Sequence, residues 1–270
     1  MTTRVAIVGG TGKLGGIIRD VVEAEDGFEV AAILTSSSSL DELDGADLVV
    51  DASIPAASMD VVRAAIQRGQ NVLVGTSGWS SERIALIRSA VKDAGTAAVF
   101  IPNFSLGSVI GSALAAAAAP LFPSIEIVEA HRETKIDSPS GTAVRTAEVI
   151  AAARSGVGPV ASPHVDQRAR GQQVASVPIH SLRRPGVVAR QEVILAGPGE
   201  ALTITHDTVD PALAYAPGIR IALRGAREAT GVVVGLDSFV DIGLRKPRAT
   251  ADAPVSEKGV PGQVARATGA

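Results

Sequence analysis

The chain has 270 residues, enough for one large or two modest domains with a packed core. Hydrophobic residues make up 46% and charged residues 20%, as in a soluble α/β protein, and a formal net charge of −3 gives no general field for nucleic acid or an anionic membrane. There is no cysteine, which excludes disulfides, thiolate nucleophiles and cysteine-ligated metals and fits a reducing cytoplasm.

The start, Met-Thr-Thr-Arg-Val-Ala-Ile-Val, enters a strand pattern at once, so no signal peptide and a cytoplasmic location are expected. The most apolar segment, Ser112 to Phe122, is alanine-dominated and too short to span a bilayer. Arg4–Val8 reads as a buried strand, followed by Gly9-Gly-Thr-Gly12-Lys-Leu-Gly15 and a helix to Glu23. In such a strand–turn–helix unit Gly9 takes the tight turn and Gly12 lets a pyrophosphate approach the backbone. Gly15 lets the helix pack on the sheet. Gly10, Thr11, Lys13 and Leu14 complete the expected phosphate-binding turn.

A second strand, Phe28–Leu34, follows at βαβ spacing. Its end carries Thr35-Ser-Ser-Ser-Ser39, where NAD sites usually place an acid for the ribose hydroxyls. The hydroxyls of Thr35 and Ser36 suit a 2′-phosphate, which tilts the cofactor toward NADPH and leaves NADH open. A flexible Ser-rich loop would give the same pattern. The alternation continues with strand Asp47–Ala52, helix Ala56–Arg68, strand Asn71–Val74, helix Ser80–Asp93 and strand Ala97–Ile101. This predicts a doubly wound parallel sheet of Rossmann type, with ligands beyond the C-terminal strand ends. Gly75, Thr76 and Ser77, and Ile101, Pro102, Asn103 and Phe104, therefore join the cofactor set, and Trp79 is expected to pack beside the first of these loops.

After Ser105 the character changes. An Ala-rich helix to Ala119 leads to a strand at Ile125–Ala130, then to a dense polar cluster, Glu129-Ala-His-Arg-Glu-Thr-Lys-Ile-Asp-Ser-Pro-Ser-Gly-Thr-Ala143, and a helix over Gly141–Ala153. An acid–base residue, fixed cations and a helix start in one segment suit binding of a carboxylate beside a proton transfer. From Val174 the pattern is β-like, with Val174–Leu182, Val187–Leu195 and Ala201–Asp207 read as antiparallel hairpins. Pro211–Ala229 reads as helical with a break at Pro217-Gly218. The expected organisation is a dinucleotide domain over 1–104 plus about 210–243, an α+β domain on a mostly antiparallel sheet over 105–209, and a disordered tail over 244–270. No histidine spacing indicates a metal. His180 and His206 are expected to be structural or inter-subunit polar groups, and Arg183 and Arg184 a surface turn, with a role near a bound carboxylate also open.

Taken together these segments resemble the 4-hydroxy-tetrahydrodipicolinate reductase (dihydrodipicolinate reductase) family. The resemblance rests on Gly9–Gly15, Asp51-Ala-Ser-Ile-Pro55, Val74-Gly-Thr-Ser-Gly78, Asn103-Phe-Ser-Leu-Gly107 and above all Lys135-Ile-Asp-Ser-Pro-Ser-Gly-Thr-Ala143. It continues through Ile179-His-Ser-Leu-Arg183, Gln191-Glu192, Gly197-Pro-Gly-Glu200 and His206-Asp207, spanning Arg4 to Gly243. It implies hydride transfer from NADH or NADPH to a small cyclic dicarboxylate of lysine (diaminopimelate) biosynthesis, in a homotetramer. It further implies His131 as acid–base histidine, Lys135 as proton donor, and Gly141 and Thr142 as a carboxylate site. Arg132 stands where the family usually has a second, substrate-contacting histidine, and Ser77 where it has a threonine. A reductase of another cyclic imine or enamine carboxylate, and a non-catalytic dinucleotide sensor, stay open. A short-chain dehydrogenase does not fit, because Tyr215, the only tyrosine, has Ile219 rather than lysine four residues on.

Overall fold

The computed structural model describes residues 2–243; the tail expected over 244–270 lies outside the described residues. Near-continuous apolar runs make the first sheet. Its strands are β1 (Thr3–Val8), β2 (Phe28–Leu34), β3 (Leu48–Asp51), β4 (Asn71–Val74), β5 (Ala97–Phe100) and β11 (Gly231–Val234). They run parallel in the order β11-β5-β4-β3-β1-β2. Successive strand residues point to opposite faces, so Val5 and Ile7 enter one core cluster and Ala6 and Val8 the other. Helices α1 (Lys13–Ala24) and α7 (Pro211–Glu228) cover the first face, through Ile18 and Val22 and through Ile219, Ala222, Leu223 and Ala226. Helices α2 (Pro55–Gln67), α3 (Ser81–Ala85) and α4 (Arg88–Ala94) cover the second, through Val61, Val62, Ile84, Ile87 and Val91. The chain leaves β1 for β2 on one side and reaches β3 on the other, and this reversal of direction opens a crevice above β1.

The second sheet has the order β10-β9-β6-β8-β7, built from β6 (Ser124–His131), β7 (Gln172–Val174), β8 (Val177–Arg183), β9 (Ala189–Gly197) and β10 (Glu200–Thr208). Only β6 and β8 pair in parallel. Helices α5 (Leu106–Ala118) and α6 (Gly141–Ala153) cover one face of it. Ala115, Ala119, Ala143 and Ala147 are fully buried there against Ile125, Ile127, Ile179 and Leu195, and their small side chains allow the close approach. No helix covers the alternate residues Glu126, Val128, His180 and Ile194 among the described residues.

Several local expectations change. Helix Ser80–Asp93 is two helices, because an Ile87 N–H to Ile84 carbonyl bond interrupts the ladder where β-branched residues sit at both positions. Helix α7 runs through Pro217 unbroken, held by a buried face that begins at Gly218 and Ile219. Val174–Leu182 is not one strand. It turns at Ala175-Ser176, both with positive φ, into the β7–β8 hairpin. Strands β8 and β9 are not a hairpin either, since β6 lies between them and pairs with both. Strand β11 was not foreseen and adds an edge beside β5.

Candidate active site

The first half of the site is the crevice over β1. Gly9 has φ +83 and its Cβ would lie 2.4 Å from the Ala52 carbonyl oxygen, so only glycine makes this turn. A Cβ on Gly15 would sit 2.1 Å from the Gly9 carbonyl oxygen, so the first turn of α1 packs directly on the glycine turn. No side chain caps α1 at Gly12, and no acidic residue stands in its first turn, whereas Ser105, Ser140 and Asp210 cap α5, α6 and α7. Gly10 is buried, while Thr11, Gly12 and Lys13 are exposed beside the uncapped start. Free amides, the helix dipole and the Lys13 cation there suit a phosphate.

The segment after β2 is an ordered turn: the hydroxyls of Thr35 and Ser37 pair at 3.0 Å, and Ser38 Oγ accepts from the Thr35 N–H. Ser36 is exposed. The carboxylate of Asp51, fully buried at the end of β3, accepts from the Ser53 N–H and from the Ser53 and Ser58 hydroxyls. Ser58 in turn accepts from the Trp79 indole N–H at 2.8 Å, and Trp79 packs on Phe100. The Asp51 carbonyl receives the Gly75 N–H and the Thr76 hydroxyl, which fixes the loop ending in exposed Ser77. A Cβ on Gly75 would lie 2.9 Å from the Phe104 ring and 3.2 Å from Leu14, so these three form one tight floor. Ile101 is only 1% exposed, so whatever it offers a ligand is main chain. The Asn103 carboxamide is committed to the start of α5, accepting from Ser105 N–H and donating to Ser108 Oγ.

The second half is the end of β6 and the start of α6. His131 Nδ1 lies 2.6 Å from Glu129 Oε2, which leaves Nε2 as its free nitrogen. Glu129 is fully buried, and Arg183 binds it bidentately at 2.9 and 3.0 Å while Ser140 N–H donates to its other oxygen at 3.2 Å. Burial works against this carboxylate's charge, but hydrogen bonds from His131, Arg183 and Ser181 and the charge of Arg183 outweigh it, holding the carboxyl down to about 2. At α6, Ser140 takes the N–H groups of Ala143 and Val144 with its hydroxyl and carbonyl. The amides of Gly141 and Thr142 are left for an incoming anion.

The two halves meet in a cavity of about 250 Å³. Leu14, Gly75, Pro102, Asn103 and Phe104 line it from one side, and His131, Ser140 and Thr142 from the other. Arg190, Gln191, His206 and Tyr215 also line it. Lys135, Arg132 and Gly141 are not part of this lining. Lys135 Nζ is held by Asp137 at 2.7 and 2.9 Å, and Arg132 is exposed. Hydrogen bonding from Lys135 lowers the Asp137 carboxyl below its usual range.

His206, expected to be a structural or inter-subunit polar group, stands in the wall of the cleft. Its Nε2 meets Ser105 Oγ at 3.2 Å within the cleft wall, and burial lowers its affinity for a proton despite the opposing charge of Asp207. His180 instead pairs with Glu126, away from the cleft. Arg183 is no surface turn residue but the clamp on Glu129. Glu129 itself was missed as a group with a role, because a charged residue inside an alternating strand reads as a solvent-facing position.

Among the described residues no group of three or more His, Asp or Glu side chains is arranged to hold a metal ion, and no helix is long and apolar enough to cross a membrane. The model for the N-terminal part of dihydrodipicolinate reductase matches residues 3–104, and that for the C-terminal part matches 107–240. The 4-hydroxy-tetrahydrodipicolinate reductase of Clavibacter sepedonicus is 54% identical over the whole of both chains. The Streptomyces griseus enzyme of that name is 39% identical over 88% of this chain and 98% of its own. A dipicolinate-bound dihydrodipicolinate reductase from Paenisporosarcina sp. TG-14 superposes with a TM-score of 0.77 at 26% identity, over 89% of this chain and all of that one. The chain belongs to the dihydrodipicolinate reductase family.

Proposed function

We propose that the protein reduces 4-hydroxy-tetrahydrodipicolinate to tetrahydrodipicolinate with NADH or NADPH, in the diaminopimelate route to lysine. The observation that carries this reading is the shared cavity that sets the glycine-turn floor of Leu14, Gly75 and Phe104 against His131 and Thr142. Relatives that match over 88% or more of the chain bear the name of this activity, and a relative of the same architecture binds dipicolinate, a planar cyclic dicarboxylate.

The residues over β1 fit a dinucleotide. The uncapped start of α1 with Lys13 suits its pyrophosphate, and Thr35 and Ser36 replace an acid that would repel a 2′-phosphate. This leans the choice toward NADPH without excluding NADH. Bound there, the cofactor supplies a hydride. The reaction replaces a ring hydroxyl by hydrogen, so the net change is uptake of a hydride and a proton with release of water.

Gly141 and Thr142 hold a substrate carboxylate through their amides, and Arg132, permanently charged, offers a second anchor from the rim. His131 presents Nε2 to the ring. Lys135 stabilises charge that builds toward the ring nitrogen and supplies the proton, which requires it to exchange Asp137 for substrate. The face of the second sheet left uncovered by α5 and α6 supports assembly into a homotetramer, and dependence on the NAD(P)H pool supports a cytoplasmic location. Steady-state oxidation of NADH and NADPH with the expected substrate tests the reading. Saturating turnover with either supports it, and no turnover with both rejects it.

A further inference from the structure

The geometry points to Glu129 as the positioning residue of the site, a buried carboxylate that fixes the tautomer of His131 and ties it to the start of α6. This rests on the reductase reading above, because it assigns how His131 is made ready for that chemistry.

Glu129 lies on β6 two residues before His131, on the same face, with no exposure to solvent. Its Oε2 accepts the His131 Nδ1–H at 2.6 Å, so the neutral ring keeps an unprotonated Nε2, the less common tautomer of a free imidazole. When Nε2 takes a proton, the same carboxylate faces the resulting cation. Oε1 accepts the N–H of Ser140, the capping residue of α6. One carboxylate thus sets the distance between the acid–base nitrogen and the two amides that receive the substrate carboxylate.

Arg183 closes the arrangement. It neutralises Glu129 through both terminal nitrogens and donates from Nη2 to the Asp137 carbonyl at 2.6 Å, which also fastens the loop carrying Lys135. Arg183 thus supplies the buried carboxylate with a charge partner, and the Glu129–His131 bond is left to fix the orientation and tautomer of the ring. The other charged or titratable groups lining the cavity with this ring are Arg190 from β9 and His206 from β10, and neither bonds to Nδ1.

The test is Glu129→Gln, for which the hydrogen-bond pattern dictates the outcome. An amide nitrogen at the Oε1 position would face two fixed donors, Ser140 N–H and Arg183 Nη2, whereas at the Oε2 position it faces one fixed donor, Arg183 Nη1, and His131 Nδ1, whose proton can move to Nε2; the Ser181 hydroxyl can turn to accept. The amide therefore points its nitrogen at His131, and Nδ1 must become the acceptor. Nitrogen-15 spectra of histidine-labelled protein, with His131 assigned by its loss in His131→Ala, read the tautomer directly. The wild type is expected to show Nδ1–H, and Glu129→Gln to show Nε2–H, with kcat lower by about 10²-fold and the cofactor KM unchanged.

Should an unpaired Arg183 prevent folding, the charge-balanced pair Glu129→Gln with Arg183→Met gives the same readout, since Ser140 N–H still selects the amide orientation. A His131 already Nε2–H in the wild type, a tautomer that stays unchanged in the variants, or a kcat that survives the switch each overturns the assignment. Because the spectra need no substrate, they stand even if the wild type fails to turn over the expected compound, a result that would reject the reductase reading alone.

Discussion

Replacing Gly218 by alanine puts a methyl group where α7 passes over the cofactor side of the cleft. The new Cβ would lie 1.9 Å from the Phe104 carbonyl oxygen, 2.9 Å from its carbon and 3.0 Å from Leu236 Cδ2. An ordinary carbon–oxygen contact is about 3.3 Å, so helix and loop must part by more than an ångström. Against this, alanine gains about 1 kcal/mol of helix propensity over glycine. Overpacking costs about 1–3 kcal/mol, and the obstruction is backbone, which cannot rotate away as a side chain does, so the upper end applies. The net loss is about 2 kcal/mol, or about 4–8 °C in Tm for a protein of this size. Because Phe104 lines the cleft, cofactor affinity falls with it. Gly16 in α1 is the control: nothing lies within 4 Å of its Cβ, so Gly16→Ala gains about 1 kcal/mol and raises Tm. Thermal unfolding of the two variants and the wild type decides. A Gly218→Ala variant as stable as the wild type would refute the close approach of α7 to the Phe104 loop.

Three further outcomes follow from the geometry. Ser58→Ala leaves the Trp79 indole N–H and one Asp51 oxygen without their partner, at about 1–3 kcal/mol each; Tm should fall and the emission of Trp79, the only tryptophan, should shift, while unchanged emission would remove Ser58 from this network. Glu129 has a folded pKa of about 2 against about 4.3 when unfolded. Its stabilisation is therefore complete above the unfolded value and lost as pH falls through about 2, and acid unfolding of the wild type should show a component that Glu129→Gln with Arg183→Met lacks. Ala175 sits at φ +48 in a two-residue turn joining β7 to β8, a position that asparagine tolerates better. Ala175→Asn should stabilise by about 0.5 kcal/mol, and a lower Tm would contradict this.

The parallel sheet was legible because its strands are apolar on both faces and alternate with helices at a regular spacing, and a glycine turn opens the first helix. Strand β11 was not, since Gly231-Val-Val-Val234 is too short to stand out and its identity as a strand depends on β5 beside it. The pairing of β8 was misread for a related reason. Periodicity reveals a strand but not its neighbours, and the intervening β6 comes from far earlier in the chain. In the site, the sequence cluster led directly to His131 and to the start of α6, while Lys135 and Arg132, adjacent in sequence, stand outside the cavity. Glu129 and Arg183 were beyond reach because their meaning is a contact across 54 residues, made by two side chains that each look solvent-facing alone.

On the proposed reading the cleft has a cofactor half over β1 and a substrate half at the end of β6. Turnover and the cofactor dissociation constant, measured on the same preparations of wild type, His131→Ala and Lys135→Ala, test that division most directly. Both variants are expected to lose turnover by about 10²-fold or more while the cofactor dissociation constant stays at the wild-type value. A dissociation constant that rises in step with the lost turnover would contradict it.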